Sequence, residues 1–398
     1  MRLFLISLDA VGQNDCETIM KLPALSALKA QGTFCNAMQT IYPTITYPIH
    51  TSLITGCYPE KHGIVHNQPF QPDTEPVMRK WHWSREDNQC KTLWDAAKEN
   101  HKKVASILWP VSGKNKAVQY SFPEVLPLPG ENKVLKMLEY ASPLWILKME
   151  LLYGKHRKSI LQPDLDDYAT LLCEKMIHSK NIPDFLSLHL VDLDFMRHAH
   201  GTRNQEAFNA MERLDRCVGR IVKALKETNQ YDDTVIAIVS DHGHQEVTKT
   251  ILLDDILREN GVGRAQSLGL GAYIYTDNLK ATTAYLNAHK DELGIQTIYQ
   301  KDELKQKHLG EEIALSVQGK PGVAFGDKAE KVYKSDHGFD DDAKEAKCML
   351  LLVGKPFQKN HQLQNAHVVD VAPTLAKVMG WSLPNAQGKV LSETFKKR

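Results

Sequence analysis

The stretch RLFLISLDAVG, residues 2–12, joins a nearly unbroken apolar run to an acidic residue and, at its end, a glycine. Such a run is too short for a helix and shows no polar alternation, which suits a strand buried on both faces, as in a parallel sheet. Similar runs stand at residues 104–108, 185–191, 234–239 and 348–353, each near a segment with helical spacing. This alternation predicts an α/β fold, with a central, mostly parallel sheet flanked by helices. The longest expected helix covers 204–227, and another over 22–30 is expected to close on Gly32 as its C-terminal cap. Between residues 121 and 183 the pattern predicts helices laid against the sheet. From 261 to 336 a new alternation (AYIYTD, TTAYLNAHKDELG, IQTIYQ) predicts a small inserted α+β subdomain within a single domain spanning 1–398.

A chain of 398 residues is long enough for one large core with insertions. Its 49 basic and 48 acidic side chains nearly cancel, leaving a net charge of +1. No global field therefore favours a nucleic-acid polymer or an anionic membrane. The N-terminal apolar run meets Asp9 before it reaches the length of a signal sequence, so a cytoplasmic protein is expected. Residues 143–153 are apolar but too short to span a bilayer, and Lys148 and Glu150 interrupt them. Seven cysteines (Cys16, Cys35, Cys57, Cys90, Cys173, Cys217, Cys348) are scattered and show no CxxC spacing. They are expected to be buried and reduced, with neither a disulfide framework nor a thiolate metal site.

In open α/β sheets ligands gather beyond the carboxyl ends of the strands, so polar residues directly after apolar runs are the candidates for chemistry. Asp9 follows the first run, Asp192 and Asp194 follow the run at 185–191, and Asp241 and His242 follow 234–239. His337 stands ahead of the last run. Carboxylates and imidazoles without thiolates suit zinc, and equally manganese or iron. Each residue alone has a plainer explanation, because an Asp after a strand is commonly a helix cap or a turn former. Asp241-His242-Gly243 sets two ligand types side by side, with a glycine expected to allow a sharp turn. Asp194 and His198 are four residues apart, which on a helix puts both side chains on one face. In TIYPTITYPIHTSLITGCYPEKHGIVHN, residues 40–67, Thr46 precedes Tyr47 and Pro48. Proline suits a first helical turn, so the Thr46 hydroxyl and the free N–H groups behind it would face one point. The plain alternative is a capped helix, threonine being a common N-cap.

At this segment PTITYPIH, followed by TGCYPEKHGIVHN, resembles the nucleophile block of the nucleotide pyrophosphatase/phosphodiesterase family, within the alkaline phosphatase superfamily. The family's pattern sets a threonine before an aromatic, a proline, one residue and a histidine, which falls on Thr46 and not on Thr44. Further matches are Asp9, Asn67, Trp109-Pro110, Asp194 to His198 with Gly201, Asp241-His242-Gly243 and His337-Gly338-Phe339. The tail HVVDVAPTLAKVMG resembles the superfamily's closing helix. The resemblance implies an alkaline phosphatase-like fold that holds two zinc ions. One would be bound by Asp194, His198 and His337, and the other by Asp9, Asp241, His242 and the Thr46 oxygen. Asp192 and His200 are set aside, because the family's glycine stands three residues after its histidine, as Gly201 does after His198. His50 and His62 are expected to be either structural or partners that orient ligands.

By the same resemblance Thr46 is the nucleophile that forms a phosphothreonine, and Asn67 with the Tyr47 N–H receives a non-bridging oxygen. The implied activity is metal-dependent hydrolysis of phosphate diesters or nucleotide pyrophosphates, on a small-molecule phosphate ester such as a nucleotide. Monoesterases of the superfamily place an arginine or a third metal where Asn67 is neutral, which favours a monoanionic phosphate. Tyr47 either stacks on a nucleobase, as the family's aromatic does, or packs in the core, and Trp109 is a further substrate-binding candidate. A sulfatase is excluded because the nucleophile block lacks C/S-x-P-x-R. Cofactor-independent phosphoglycerate mutases disagree in nucleophile and in insertion length. Phosphonoacetate hydrolase, with Lys114 or Lys116 on the substrate carboxylate, stays open, as do a phosphomonoesterase and an inactive metal-stabilised binding protein.

Overall fold

Eight strands build the main sheet of the computed structural model, which describes residues 1–326 and 333–397. They are β1 (Arg2–Leu8), β2 (Gly32–Met38), β3 (Val104–Ile107), β4 (Tyr120–Phe122), β5 (Phe185–Leu190), β6 (Thr234–Val239), β7 (Cys348–Val353) and β8 (His361–Gln362). Their order is β8-β2-β7-β6-β1-β5-β3-β4. β1 is buried from Leu3 onward and lies between two parallel partners, with Leu5 opposite Ser187 of β5 and Ala237 of β6. β3 and β4 extend the parallel set, whereas β7 runs antiparallel between β6 and β2. The expected mostly parallel sheet is therefore present, with one reversed strand.

Strand alternation sends Phe4, Ile6 and Leu8 to one face, where the helices Pro143–Tyr153, Asp164–Ile177 and Gln205–Glu227 supply the rest of the core. Leu3 and Leu5 point the other way, toward the helices Thr46–Thr55, Leu93–Glu99 and Val368–Met379. Two covered faces explain why the strands carry no polar alternation. The long helix begins where Asn204 accepts the Ala207 N–H at 2.9 Å, an ordinary N-cap. Gly32 does not cap the helix Pro23–Lys29 as expected. It opens β2, where a Cβ would stand 2.5 Å from Leu352 O on β7, so its bare backbone serves a close strand approach.

A second, antiparallel sheet takes the order Ile295–Gln300, Leu315–Gly319, Gly271–Tyr275, Arg264–Ser267. Its core joins Leu286, Ile295 and Val317 to Ile251, Leu253 and Leu257, so the packing unit reaches back before residue 261. Residues 327–332 of the expected insertion lie outside the described residues. The small sheet meets the main body where Tyr42 and Ile45 pack on Leu268, Tyr273 and Tyr299, with Tyr42 Oη 2.5 Å from Ser316 Oγ. All seven cysteines are buried and unpaired. Among the described residues no helix is long and apolar enough to cross a membrane.

Leu5 is fully buried at the centre of the main sheet. Its replacement by alanine is expected to cost about 2–5 kcal/mol of stability through lost burial and a residual cavity. Urea denaturation of Leu5→Ala checks this, and an unchanged midpoint would contradict the placement.

Candidate functional site

Asp9 directly follows β1, the helix Asp192–His200 follows β5, and Asp241-His242 follows β6. Because these three strands are neighbours, residues far apart in sequence meet at one end of the sheet. Thr46 starts the helix Thr46–Thr55, but Ile45 occupies the N-cap and no side chain makes a capping bond. The threonine hydroxyl is thus free for other work. Thr46 is half-buried among neighbours that are all buried from Ile41 to Thr55, and its Oγ1 lies 3.3 Å from His242 Nε2. Pro48 sits in the first turn, where a missing N–H costs no helix bond. Thr44 ties this loop to the next element: its carbonyl accepts the Gly338 N–H at 3.0 Å, and its hydroxyl donates to Phe339 O at 2.7 Å.

His242 Nε2 stands 3.3 Å from Asp241 Oδ2 and 3.8 Å from Asp9 Oδ1. The other oxygen of each carboxylate is occupied. Asp9 Oδ2 lies 2.9 Å from His189 Nε2, and Asp241 Oδ1 accepts the N–H groups of Ala10 at 3.1 Å and His242 at 2.9 Å. Asp9 Oδ1 and Asp241 Oδ2 are buried without a hydrogen-bond partner. Partnerless buried anionic oxygens are costly, and together with His242 they form a donor set that fits a cation. The electrostatics agree. Burial, then repulsion from Asp241 and Asp194, pushes Asp9 well above the usual carboxylate range. Burial likewise raises Asp241 and lowers His242 to about 3. Burial also disfavours charge on His189, but hydrogen bonds to Asp9 and Glu124 hold it well above the usual histidine range.

A second donor set adjoins the first, since the His242 and His337 rings stack with centroids 3.9 Å apart. It comprises Asp194, His198, His244 and His337, whose ligand atoms lie within 4.8 Å of one another. Asp194 and His198 share one face of the helix Asp192–His200, 3.4 Å apart. Burial disfavours the ionised Asp194, yet His198 and His244 hold it well below the usual range. Against the same burial, Asp194 raises His198 to about 9. The near alternatives point elsewhere: Asp192 is paired with Arg213 at 2.5 Å, and His200 is exposed.

Asn67 Oδ1 accepts the Tyr47 N–H at 2.9 Å, which places this amide beside Thr46. His50 Nδ1 donates to Thr46 O at 2.9 Å and lies 3.6 Å from Asp241 Oδ2. His62 takes the structural role of the two expected, since it bonds Ser52 Oγ and the Ile64 N–H and touches no candidate ligand. Tyr47 and Trp109 depart from their expected substrate-binding roles. Both are fully buried, Tyr47 edge-on to Trp81 and Trp109 edge-on to His50, so neither offers a free ring face. Lys114 is held by Glu139 at 2.6 Å, and Lys116 is 87% exposed beside Glu86, so neither bonds a member of the two clusters. Gly243 does not adopt a left-handed turn. Its lack of a side chain is needed for close approach, since a Cβ would stand 2.7 Å from Glu345 O. His189, Glu124 and His244 were absent from the expected set. Only His244, two residues beyond His242, carried a signal in the sequence.

A family model for type I phosphodiesterase/nucleotide pyrophosphatase matches residues 3–345. The chain belongs to this family. The motif resemblance and the match thus agree. Human ectonucleotide pyrophosphatase/phosphodiesterase family member 1 is 28% identical over 233 residues, covering 56% of this chain and 21% of the relative. Venom phosphodiesterase 2 of Crotalus adamanteus is 22% identical over 377 residues, covering 88% of this chain and 42% of the relative. The chain therefore spans only about a fifth to two fifths of these relatives' lengths. The solved structure of murine ectonucleotide pyrophosphatase/phosphodiesterase 5 superposes with a TM-score of 0.75 at 17% identity, covering 100% of both chains. An inactive variant of that protein, solved in complex with AMP, gives the same TM-score of 0.75. At this identity the likeness establishes the alkaline phosphatase-like fold of the phosphodiesterase family for this chain.

His62 lies away from both donor sets, and burial lowers it to about 3. The unfolded chain takes up this proton near pH 6.5 and the folded chain does not. Its stabilising contribution is thus present above about pH 6.5 and is lost as pH falls toward about 3. Relative to wild type, His62→Gln is expected to show a shallower acid-side loss, by about 1.4 kcal/mol per pH unit between about pH 6 and 4. Paired urea curves across that window test it, and identical slopes would count against a neutral buried His62.

Proposed function

We propose that the chain hydrolyses phosphate diesters or nucleotide pyrophosphates, with Thr46 as nucleophile and a pair of divalent cations, zinc by preference, as cofactors. The supporting observation is the Thr46 hydroxyl itself, uncommitted to capping and 3.3 Å from His242 Nε2, beside two partnerless carboxylate oxygens. Asp9, Asp241, His242 and Thr46 would hold one ion, and Asp194, His198 and His337 the other. When bound, such ions lower the pKa of an oxygen nucleophile and neutralise charge developing on phosphate.

The chain's own part is positional and nucleophilic. Thr46 Oγ1 forms the bond to phosphorus while the bond to the leaving-group oxygen breaks. The hydroxyl proton passes to solvent, and the leaving oxygen gains one. Water then cleaves the phosphothreonine, restoring the hydroxyl and releasing a monoester. His50 fixes the Thr46 backbone through its carbonyl. With Asn67 Oδ1 engaged by the Tyr47 N–H, the Asn67 Nδ2 remains as a donor for a non-bridging oxygen. A neutral amide there matches a monoanionic phosphate better than a dianionic one. AMP in the complex of the murine relative supports a nucleotide-type substrate. Residues 1–398 act in this reading as one catalytic domain, with the small sheet as an insertion. Seven buried, unpaired cysteines fit a reducing, cytoplasmic location.

A panel of diesters, monoesters and phosphonoacetate, assayed with metal-loaded protein, tests the reading. Diester turnover is expected to exceed the others, and Thr46→Ala to lose nearly all of it while keeping its metal. An unimpaired Thr46→Ala would move the nucleophile elsewhere, and a monoester preference would overturn the role given to Asn67. Chelation is expected to abolish turnover and to lower the thermal midpoint, because Asp9 Oδ1 and Asp241 Oδ2 are then left buried without a partner.

A further inference from the structure

Asp194 Oδ1 is faced by three imidazole nitrogens: His244 Nε2 at 2.8 Å, His198 Nε2 at 3.4 Å and His337 Nε2 at 3.9 Å. The partners of the opposite ring nitrogens decide what these atoms present. His198 Nδ1 lies 3.1 Å from Ser335 O, and His337 Nδ1 lies 3.2 Å from Thr44 O. A carbonyl oxygen only accepts, so both Nδ1 atoms carry the proton. His244 Nδ1 lies 3.0 Å from Ser335 Oγ, whose one hydrogen goes to Arg197 O at 2.8 Å. Ser335 therefore accepts, and His244 Nδ1 donates. Assigned by this network, each ring in its neutral form turns the lone pair of Nε2 toward the carboxylate.

Four acceptor atoms aimed at one point repel one another unless positive charge stands among them, and a single proton serves only one ring. The spacing fits a metal ion. Ligand atoms about 2.0–2.1 Å from tetrahedral zinc stand about 3.3 Å from each other. The separations of 2.8, 3.4 and 3.9 Å bracket that edge. The His244 side chain is fully buried, so water does not satisfy Nε2 in place of an ion.

We infer that His244 is a fourth protein ligand of the first cation site, beside Asp194, His198 and His337. This deepens the two-metal reading above and rests on it. Four protein ligands close a tetrahedral site, whereas three leave a position for water. The first ion would then be held by four side chains of this chain.

Cobalt(II) titration of the full chain followed by visible absorption, with competition by a chelator, tests the inference. Wild type is expected to take up two cobalt ions, one of them with the intense band of a four-coordinate centre. His244→Ala is expected to weaken one site on the order of 10–100-fold and to dim that band as water enters. The thermal midpoint of both proteins in chelator separates ligation from folding and is expected to be alike. His244→Gln, which keeps a donor for Ser335, is expected to share the loss. Two cobalt ions bound with unchanged affinity and spectrum in His244→Ala, or wild-type behaviour restored in His244→Gln, overturns the fourth ligand and leaves two-metal binding standing. A wild type that takes up no cobalt overturns the two-metal reading itself.

Discussion

Three carboxylates, Asp9, Asp194 and Asp241, are held together at the ends of adjoining strands, and the rest of the site is arranged around their mutual repulsion. Each lies where the surrounding protein is a poor solvent for charge, so the cost of ionising them together is several kcal/mol per group. Part of that cost is offset locally. His189 bridges Asp9 and Glu124, and two backbone N–H groups meet Asp241 Oδ1. The remainder falls on Asp9 Oδ1 and Asp241 Oδ2, which have no hydrogen-bond partner and face His242 Nε2. A fold that buries anionic oxygens in this way selects a cation, and the threonine hydroxyl lies within its reach.

The position of Thr46 depends on packing that is not itself chemical. Tyr42 and Ile45, just ahead of it, are clamped by the small antiparallel sheet. Thr44 bonds Gly338 and Phe339, which ties the nucleophile loop to the loop bearing His337. Behind Thr46, Asn67 Oδ1 accepts the Tyr47 N–H in the first turn of the helix. The small sheet thus supplies rigidity to the centre without lending it a ligand. Its own core, with Leu286, Ile295 and Val317, is separate from the two that flank the main sheet.

Much of this was legible in the sequence where the signal is local. A strand buried on both faces reads as an apolar run, and β1, β6 and β7 have the expected limits. Asp9, Asp194, His198, Asp241 and His242 follow such runs, and a spacing of four on a helix explains why Asp194 and His198 meet. Gly32 and Gly243 misled for a common reason. A glycine in a sequence suggests a turn, yet at both places the missing Cβ makes room for a distant backbone, Leu352 O in one case and Glu345 O in the other. Tyr47 and Trp109 also look alike as candidate rings in sequence, and only their burial shows that neither face is open.

What the sequence by itself determined is therefore the alternation of strand and helix, the family, and the ligand types that strand ends present. Tertiary structure decided that, of the 17 histidines, His189 and His244 join the three already named, because that depends on strand order, and strand order is set by packing between residues far apart in the chain. His244 meets Asp194 across 50 positions, and His189 meets Asp9 across 180. No local period encodes such pairs. They exist because neighbouring parallel strands deliver their carboxyl ends to one place, where burial makes every unpaired charge seek a partner.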